Sequence, residues 1–279
     1  MRSARKSGTA AKLVWWRVSS IATKLATGAI ERHMGDGMSN RRRNPSIVTW
    51  NIRFGVEIDA AIERLNAHPR LRNADALLLQ ELDGDGATRI AQALGLDLYY
   101  EAACRHPQTG RDFGNAILSR LPMHTKRVVK LPNVAVVGGT PRIAVRATAP
   151  VGGLDVSLWT THAETPAMRR QQRREQFRAI ASSIADDRSR RLILGGDFNT
   201  VTRRGVHVLS GLLADAETER VSLEDSPTLR RGGRSFALDH VFHRGMAPIA
   251  AGVVAPGAAS DHSAVWVEFA TISGATKEP

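Results

Sequence analysis

The sequence predicts one domain in which strands and helices alternate. Three observations lead there: short β-rich aliphatic runs recur along most of the chain, segments with helical apolar spacing lie between several of them, and no internal repeat of solenoid length is present. At 279 residues with 42% hydrophobic composition, the chain can bury a sizeable core.

The elements follow in order. SIVTWNIRFG (46–55) is a strand closed by a glycine, and in DAAIERLNA (59–67) Ala61, Ile62 and Leu65 share one helical face. ADALLLQELDGDG (74–86) predicts a strand ending on Glu81 and then a turn, and TRIAQALGL (88–96) a helix stopped by Gly95. GNAILSRLP, PRIAVRATAP, LDVSLWTTHAE, RRLILGGDFNT, FALDHVFHRG and HSAVWVEFA are further strands. Between two of these, residues 165–187 predict a helix with Thr165 as N-cap and Pro166 at its first position. Its Met168, Phe177, Ile180 and Ile184 form an apolar stripe, with Arg169, Arg170, Arg173 and Arg174 mostly elsewhere.

Several strands end alike: a hydrophobic run stops on Asn, Glu, His or Asp, as in TWN, LLLQE, WTTH, LGGDFN and ALD, while SDH precedes the last strand. One such ending is a turn, because Asp and Asn side chains bond nearby backbone. Six of them describe polar groups held rigidly at the rim of a sheet. The set Asn51, Glu81, Asp197, Asn199, Asp239 and Asp261 offers oxygen donors, with nitrogens only from His162, His240, His243 and His262. Such donors suit a hard octahedral ion, Mg2+ or Mn2+, better than zinc. Mg2+ borrows ligands from phosphate, which makes a phosphate ester the expected substrate. Hydrolysing one requires a base, positive charge on the phosphoryl oxygens and a group that orients water.

The ordered motifs TWN, QE, GNAILSR, TH, GGDFN, LDHVF and SDH resemble the endonuclease/exonuclease/phosphatase (deoxyribonuclease I-like) family over roughly residues 47–269. The resemblance implies an α+β fold, a four-layer α/β/β/α sandwich of two mostly antiparallel sheets packed face to face with helices outside. It implies Glu81 as the principal metal carboxylate, with Asn51 and Asp261 in or near the coordination shell. Asp197 would activate water and Asn199 orient it, His262 would contact phosphate while held by Asp239, and His162 would be a second phosphate contact and a proton donor to the leaving group. Asn115 of GNAILSR and Arg170 of the arginine-rich helix are expected to bind substrate, and His240, where relatives carry an aromatic residue, is expected to pack. Arg53 stands where apurinic-site endonucleases carry an acid, and Tyr99 and Tyr100 lie outside the segment where repair enzymes place a phosphate-contacting tyrosine. The expected activity is metal-dependent phosphodiester hydrolysis, nuclease-like or on a phospholipid head group or small diester. A phosphomonoesterase with the same site and a catalytically silent phosphate-binding module are the alternatives.

The formal charge is +12, but it is uneven: residues 1–43 hold ten Lys or Arg against Glu31 and Asp36, and the other 236 residues hold 29 basic and 25 acidic side chains. The domain organisation expected is therefore a basic leader (1–43), one catalytic domain (44–272) and a short tail (273–279). Within the leader, Val14, Val18, Ile21 and Leu25 can share a helical face opposite Arg17, Ser20 and Lys24, which would suit an anionic membrane surface or nucleic acid. A flexible arm, or a true start at Met34 or Met38, is the simpler account, since the first strand needs nothing upstream and GDGMSNRRRNP has linker composition. Arg17 and Lys24 break the one apolar stretch, so no spanning helix is expected. One cysteine, Cys104, excludes an intramolecular disulfide and fits a monomeric cytoplasmic protein, peripheral to a membrane at most.

Overall fold

A computed structural model describes residues 43–136, 139–223 and 226–271. The leader and tail expectations lie outside these residues.

The first unit runs from strand β1 (Ser46–Asn51) through a single 3-10 turn (Arg53–Gly55) and helices α1 (Ile58–Ala67) and α2 (Pro69–Arg72) to β2 (Ala76–Leu82). Helix α3 (Gly84–Leu94) and strands β3 (Asp97–Arg105), β4 (Asp112–Ser119), β5 (His124–Lys130), β6 (Ile143–Val151) and β7 (Leu154–His162) follow. Helix α4 (Arg170–Ala185) leads to β8 (Leu192–Asp197), then α5 (Arg203–Ala214), β9 (Glu219–Arg220), β10 (Leu229–Arg231), β11 (Arg234–Phe236), β12 (Asp239–Arg244), β13 (Pro248–Val254) and β14 (Ala264–Phe269).

Two six-stranded sheets result, ordered β13-β14-β1-β2-β4-β3 and β5-β6-β7-β8-β12-β9. Each contains one parallel pair near its centre, β1 with β2 and β7 with β8, and all its other pairs are antiparallel. Leu78, Ile117, Val145, Leu158, Ile193, Val241 and Val267 fill the space between the sheets. Leu77 and Leu79, on the opposite face of β2, pack with Ile58, Leu65 and Ile90 of α1 and α3, while Trp159, Leu194 and Phe242 pack against Phe177, Ile180, Ile184, Leu209 and Leu213 of α4 and α5. This is the four-layer α/β/β/α sandwich, and it explains why LLL reads as a continuous run: both faces of β2 are covered.

The glycine pair in LGGD follows from this packing. A Cβ on Gly195 would lie 2.8 Å from Leu78 Cδ1 and 2.9 Å from Thr49 Cβ of the facing sheet, and one on Gly196 would lie 2.1 Å from the Thr161 carbonyl oxygen. Only hydrogen fits at either place.

Two local expectations are corrected. The DGDG segment opens α3, because the Asp83 side chain accepts a hydrogen bond from Gly86 N at 2.7 Å and so caps the helix. Helix α4 starts at Arg170, four residues past Pro166, and Thr165 closes a separate turn by accepting from Ala167 N and Met168 N. Met168 is buried, and Glu164 is tied to Arg142 and Gln176, so tertiary contacts override the capping signal here.

Candidate active site

The two parallel pairs put their carboxyl ends on one rim. β1 ends at Asn51 beside the end of β2, and β7 and β8 end in register at His162 and Asp197. Antiparallel β12 begins at Asp239, directly opposite Asp197. Ligand sites form outside the carboxyl ends of parallel strands because side chains there face open space while the strands stay fixed.

Glu81 reaches the site through a β-bulge. Pairing of β2 with β4 slips between Gln80 and Leu82, and Glu81 takes φ 57°, in the left-handed region. Asn199 (φ 50°), Arg53 (φ 45°) and Phe54 (φ 58°) share this conformation, so four non-glycine residues around one cleft carry backbone strain. Asn51 holds the two sheets' acids together: its amide donates to Glu81 Oε1 and to Asp197 Oδ2, both at 3.0 Å, and its own oxygen accepts from Arg53 N. Phe54 N donates to the second oxygen of Glu81 at 3.2 Å.

Asp197 is buried, and burial together with Asp239 pushes its carboxyl up to about 7, against the pull of His262, Asn199 N–H and Asn51. Burial likewise raises Glu81. Asn199 is fixed by its own N–H to Asp197 Oδ1 (2.8 Å) and by its amide to Ala163 O (3.0 Å). His262 donates from Nδ1 to Asp239 Oδ2 at 2.8 Å and turns Nε2 toward Asp197 Oδ2, 3.7 Å away. Burial opposes its charge, but Asp239, Asp197 and Asp261 outweigh burial and raise it to about 10, so it is a standing cation.

His162 differs. Arg142, itself buried, donates from Nη1 to His162 Nδ1 at 2.9 Å and from Nη2 to Glu164 at 2.9 Å. Arginine has no acceptor, so Nδ1 presents a lone pair at this shorter contact and the ring hydrogen sits on Nε2, 3.6 Å from both Glu81 and Asp197; the 3.2 Å approach of Asn199 Nδ2 to Nε2 is then a contact between two donors and not a hydrogen bond. Burial, then Arg142 and His262, hold the ring neutral, well below the usual histidine range. His162 is thus built as a neutral hydrogen-bond donor, and the expectation that it gives a proton to the leaving group does not fit.

Glu81, His162 and Asp197 have donor atoms close enough to share a metal ion, as do Asp197, Asp239 and His262. With Nε2 protonated, His162 cannot ligate, and His262 is charged, so the donors left to hold an ion are oxygens, those of Glu81, Asn51 and the exposed Asp261, with Asp197 beside them. Buried Asp197 and part-buried Glu81, bridged by one neutral amide, are short of positive charge. A hard divalent ion fits that donor set.

Of the remaining expected residues, two lie elsewhere. Asn115 is buried and spends its amide on Ile143 O (3.0 Å), tying the sheets together outside the cleft lining. Arg170 lines a separate hollow with Arg174, Thr202 and Val208. Its neighbour Arg173 is pinned to backbone, donating to the carbonyls of Glu164, Phe198 and Asn199, and so braces the Asn199 loop. His240 packs as expected, with Nε2 2.7 Å from Thr200 Oγ1. The sequence reading misses Arg142. The one signal for it is the Gly152–Gly153 turn of the β6–β7 hairpin: counting outward from that turn brings residue 142 beside the His162 end.

The cleft, about 520 Å3, is lined by Glu81, His162, Asp197, Asn199, Asp261 and His262 at its floor and by Arg53, Phe54, Arg230 and Arg231 at its walls. The sequence pattern of the Endonuclease/Exonuclease/phosphatase family matches residues 48–262. UPF0294 proteins of Yersinia pseudotuberculosis and Yersinia pestis are 36% identical over 95 residues, which is 34% of this chain and about a third (35%) of the length of those relatives. Among solved structures, an endonuclease/exonuclease/phosphatase from Beutenbergia cavernae superposes with TM-score 0.65 at 24% identity, covering 81% of this chain and 71% of that one. D. rerio TDP2 complexed with single strand DNA product superposes with TM-score 0.66 at 18% identity, covering 82% of this chain and 99% of that one. At these identities the two structures share the fold.

Proposed function

Because the chain belongs to the Endonuclease/Exonuclease/phosphatase family, we propose that it is a Mg2+- or Mn2+-dependent hydrolase of phosphodiesters, and that a water activated by Asp197 attacks phosphorus. The observation that carries this reading is the convergence on Asp197: a carboxyl raised by burial, a cationic His262 at 3.7 Å and a neutral His162 donor at 3.6 Å. Asp197 takes the proton as the water oxygen bonds to phosphorus and the bond to the leaving oxygen breaks. Asn199, held by its backbone N–H, its side-chain amide and the bond its carbonyl accepts from Arg173, orients the water or a phosphoryl oxygen. His262 and the Nε2–H of His162 sit where phosphoryl oxygens gather charge, and Asp239 keeps His262 aligned. Glu81, with Asn51 and Asp261 beside it, would hold the divalent ion, which supplies positive charge to the phosphoryl and leaving oxygens.

A nucleic-acid strand is one substrate supported by likeness, since the D. rerio relative was solved with a single strand DNA product. The test is turnover of bis-p-nitrophenyl phosphate and of plasmid DNA with Mg2+, with Mn2+ and with chelator. Metal-dependent cleavage is expected. Metal-independent turnover overturns the reading, as does inactivity on both substrates, and phosphate release from monoesters without diester cleavage replaces it with a phosphomonoesterase.

A further inference from the structure

The walls of the cleft hold more positive charge than one phosphate needs. Strands β10 and β11 form a hairpin, LRRGGRSF, with Arg231 paired to Arg234 across the two-residue loop Gly232–Gly233. Both glycines have positive φ, 57° and 73°, the combination that matches the twist of the flanking strands and makes a tight, well-defined turn. The hairpin is anchored on the site itself. Leu229 forms a bridge with His262, Ser263 N donates to Thr228 O at 2.7 Å, and Thr228 Oγ1 accepts from Leu238 N and Asp239 N. Its place is therefore set by the same segments that place the Asp239–His262 pair.

Arg230 and Arg231 both line the cleft, with Arg53 as a third guanidinium. Among the described residues none of the three side chains has a carboxylate or carbonyl partner, whereas Arg111, Arg142, Arg146 and Arg173 are all engaged. The charge of the scissile phosphate is already met by His262 and the Nε2–H of His162 at the floor. Guanidinium groups are planar, permanently charged forks that suit phosphate oxygens. Phe54 lines the same cleft with its ring set by contacts to His106 (4.8 Å between centroids) and Phe113 (5.8 Å), which leaves a fixed aromatic surface of the kind on which bases stack.

Resting on the proposed diester hydrolysis, we propose that the β10–β11 hairpin is a second phosphate site: Arg230 and Arg231 hold a phosphate neighbouring the one that is cleaved, and the substrate is an ester bearing at least two phosphates. The Phe54 face makes a short nucleotide strand its source.

The experiment uses the full chain and three small substrates at fixed ionic strength with Mg2+: a thymidine dinucleotide, whose one phosphate is the scissile one, the same dinucleotide phosphorylated at both ends, and an abasic sugar-phosphate of equal charge. For the wild type, terminal phosphates should raise kcat/KM by about tenfold or more, the size of one or two hydrogen bonds to a charged group. The Arg230→Gln/Arg231→Gln double variant should lose most of that gain and a smaller part of its activity on the unphosphorylated dinucleotide. Equal kcat/KM for the two dinucleotides, or a gain that survives both substitutions, overturns the proposal. An abasic compound used as well as the nucleotide one keeps the phosphate site and removes the nucleotide as its source. If the wild type cleaves no diester, the hydrolase reading fails on its own. Fluorescence anisotropy with the bisphosphorylated dinucleotide in chelator then judges the hairpin: weaker binding by the double variant upholds the site, and identical binding overturns it. Both arginines are exposed and, among the described residues, their side chains have no bonded partner, so the variant leaves the described packing unchanged.

Discussion

Asp197 is buried and Glu81 part-buried, both at strand ends, and their environments separate the tasks proposed for them. Asp197 lies between Asp239 and the cationic His262, while Glu81 stands on a bulge with Phe54 N and Asn51 on its two oxygens. Asp197→Asn should lower kcat by at least about 10²-fold, the low end for removing a general base, with the Mg2+ titration midpoint little changed. Glu81→Gln should shift that midpoint to higher Mg2+, as titrations of activity and of metal-dependent thermal stability would both read. The acid limb of the pH–rate profile should belong to Asp197: its carboxyl, near 7 without a metal ion, is driven lower once the ion binds, and below its pKa it can no longer accept a proton. Arg142 gives a stability prediction. Arg142→Met strands Glu164, itself buried, and should cost about 3–5 kcal/mol by denaturant unfolding, with much of this restored in Arg142→Met/Glu164→Leu.

At the scale of the element, most of what surrounds the site was legible, and the strands that were not share a position. β3, β5, β9 and β13 are the four edges of the two large sheets, and β10 and β11 form a two-stranded hairpin in which both strands are edges. An edge strand such as HTKRVVK carries charge on faces a central strand would bury, so the continuous apolar run that marks β1, β2, β7 and β8 is missing. Helix α5 escaped for another reason: Val206, Val208, Gly205 and Gly211 are poor helix formers, and the helix depends on its Thr202 cap and on packing Leu209 and Leu213. Asp197, Glu81 and the Asp239–His262 pair were visible because each closes or opens a hydrophobic run. Arg142 and the β10–β11 arginines were not, because no local pattern distinguishes them from solvated charge. The close approach of the sheets makes one further prediction. Gly195→Ala pushes a methyl toward Leu78 and Thr49, so the protein should lose about 1–3 kcal/mol, measured by urea midpoint, although alanine is otherwise the mildest change.

For the whole molecule, acid stability should follow the buried neutral histidines. Burial, then Arg220, holds His240 down at about 4 against an unfolded value near 6.5. The unfolded chain therefore binds the extra proton between these values, and stability present above about pH 6.5 is lost as the pH falls toward 4. A His240→Gln variant should show a shallower decline of its urea midpoint from pH 7 to 5 than the wild type. Charge gives a second whole-molecule prediction: removing residues 1–38 should leave turnover of a small diester unchanged, because no site residue precedes Asn51, and should weaken and flatten the salt dependence of binding to anionic vesicles or DNA. The last consequence concerns β14, which pairs with β1 so that the final strand of the fold closes against the first. Immediately before it comes His262, whose carbonyl accepts from Trp50 of β1 at 2.7 Å. As the chain leaves the ribosome, β1 gains β2 on one edge early, but its other edge waits through the synthesis of the remaining described elements until β14 arrives, and the cationic imidazole arrives just ahead of that strand. A chain that ends before residue 262 therefore holds Asp197 without the imidazole that faces it at 3.7 Å.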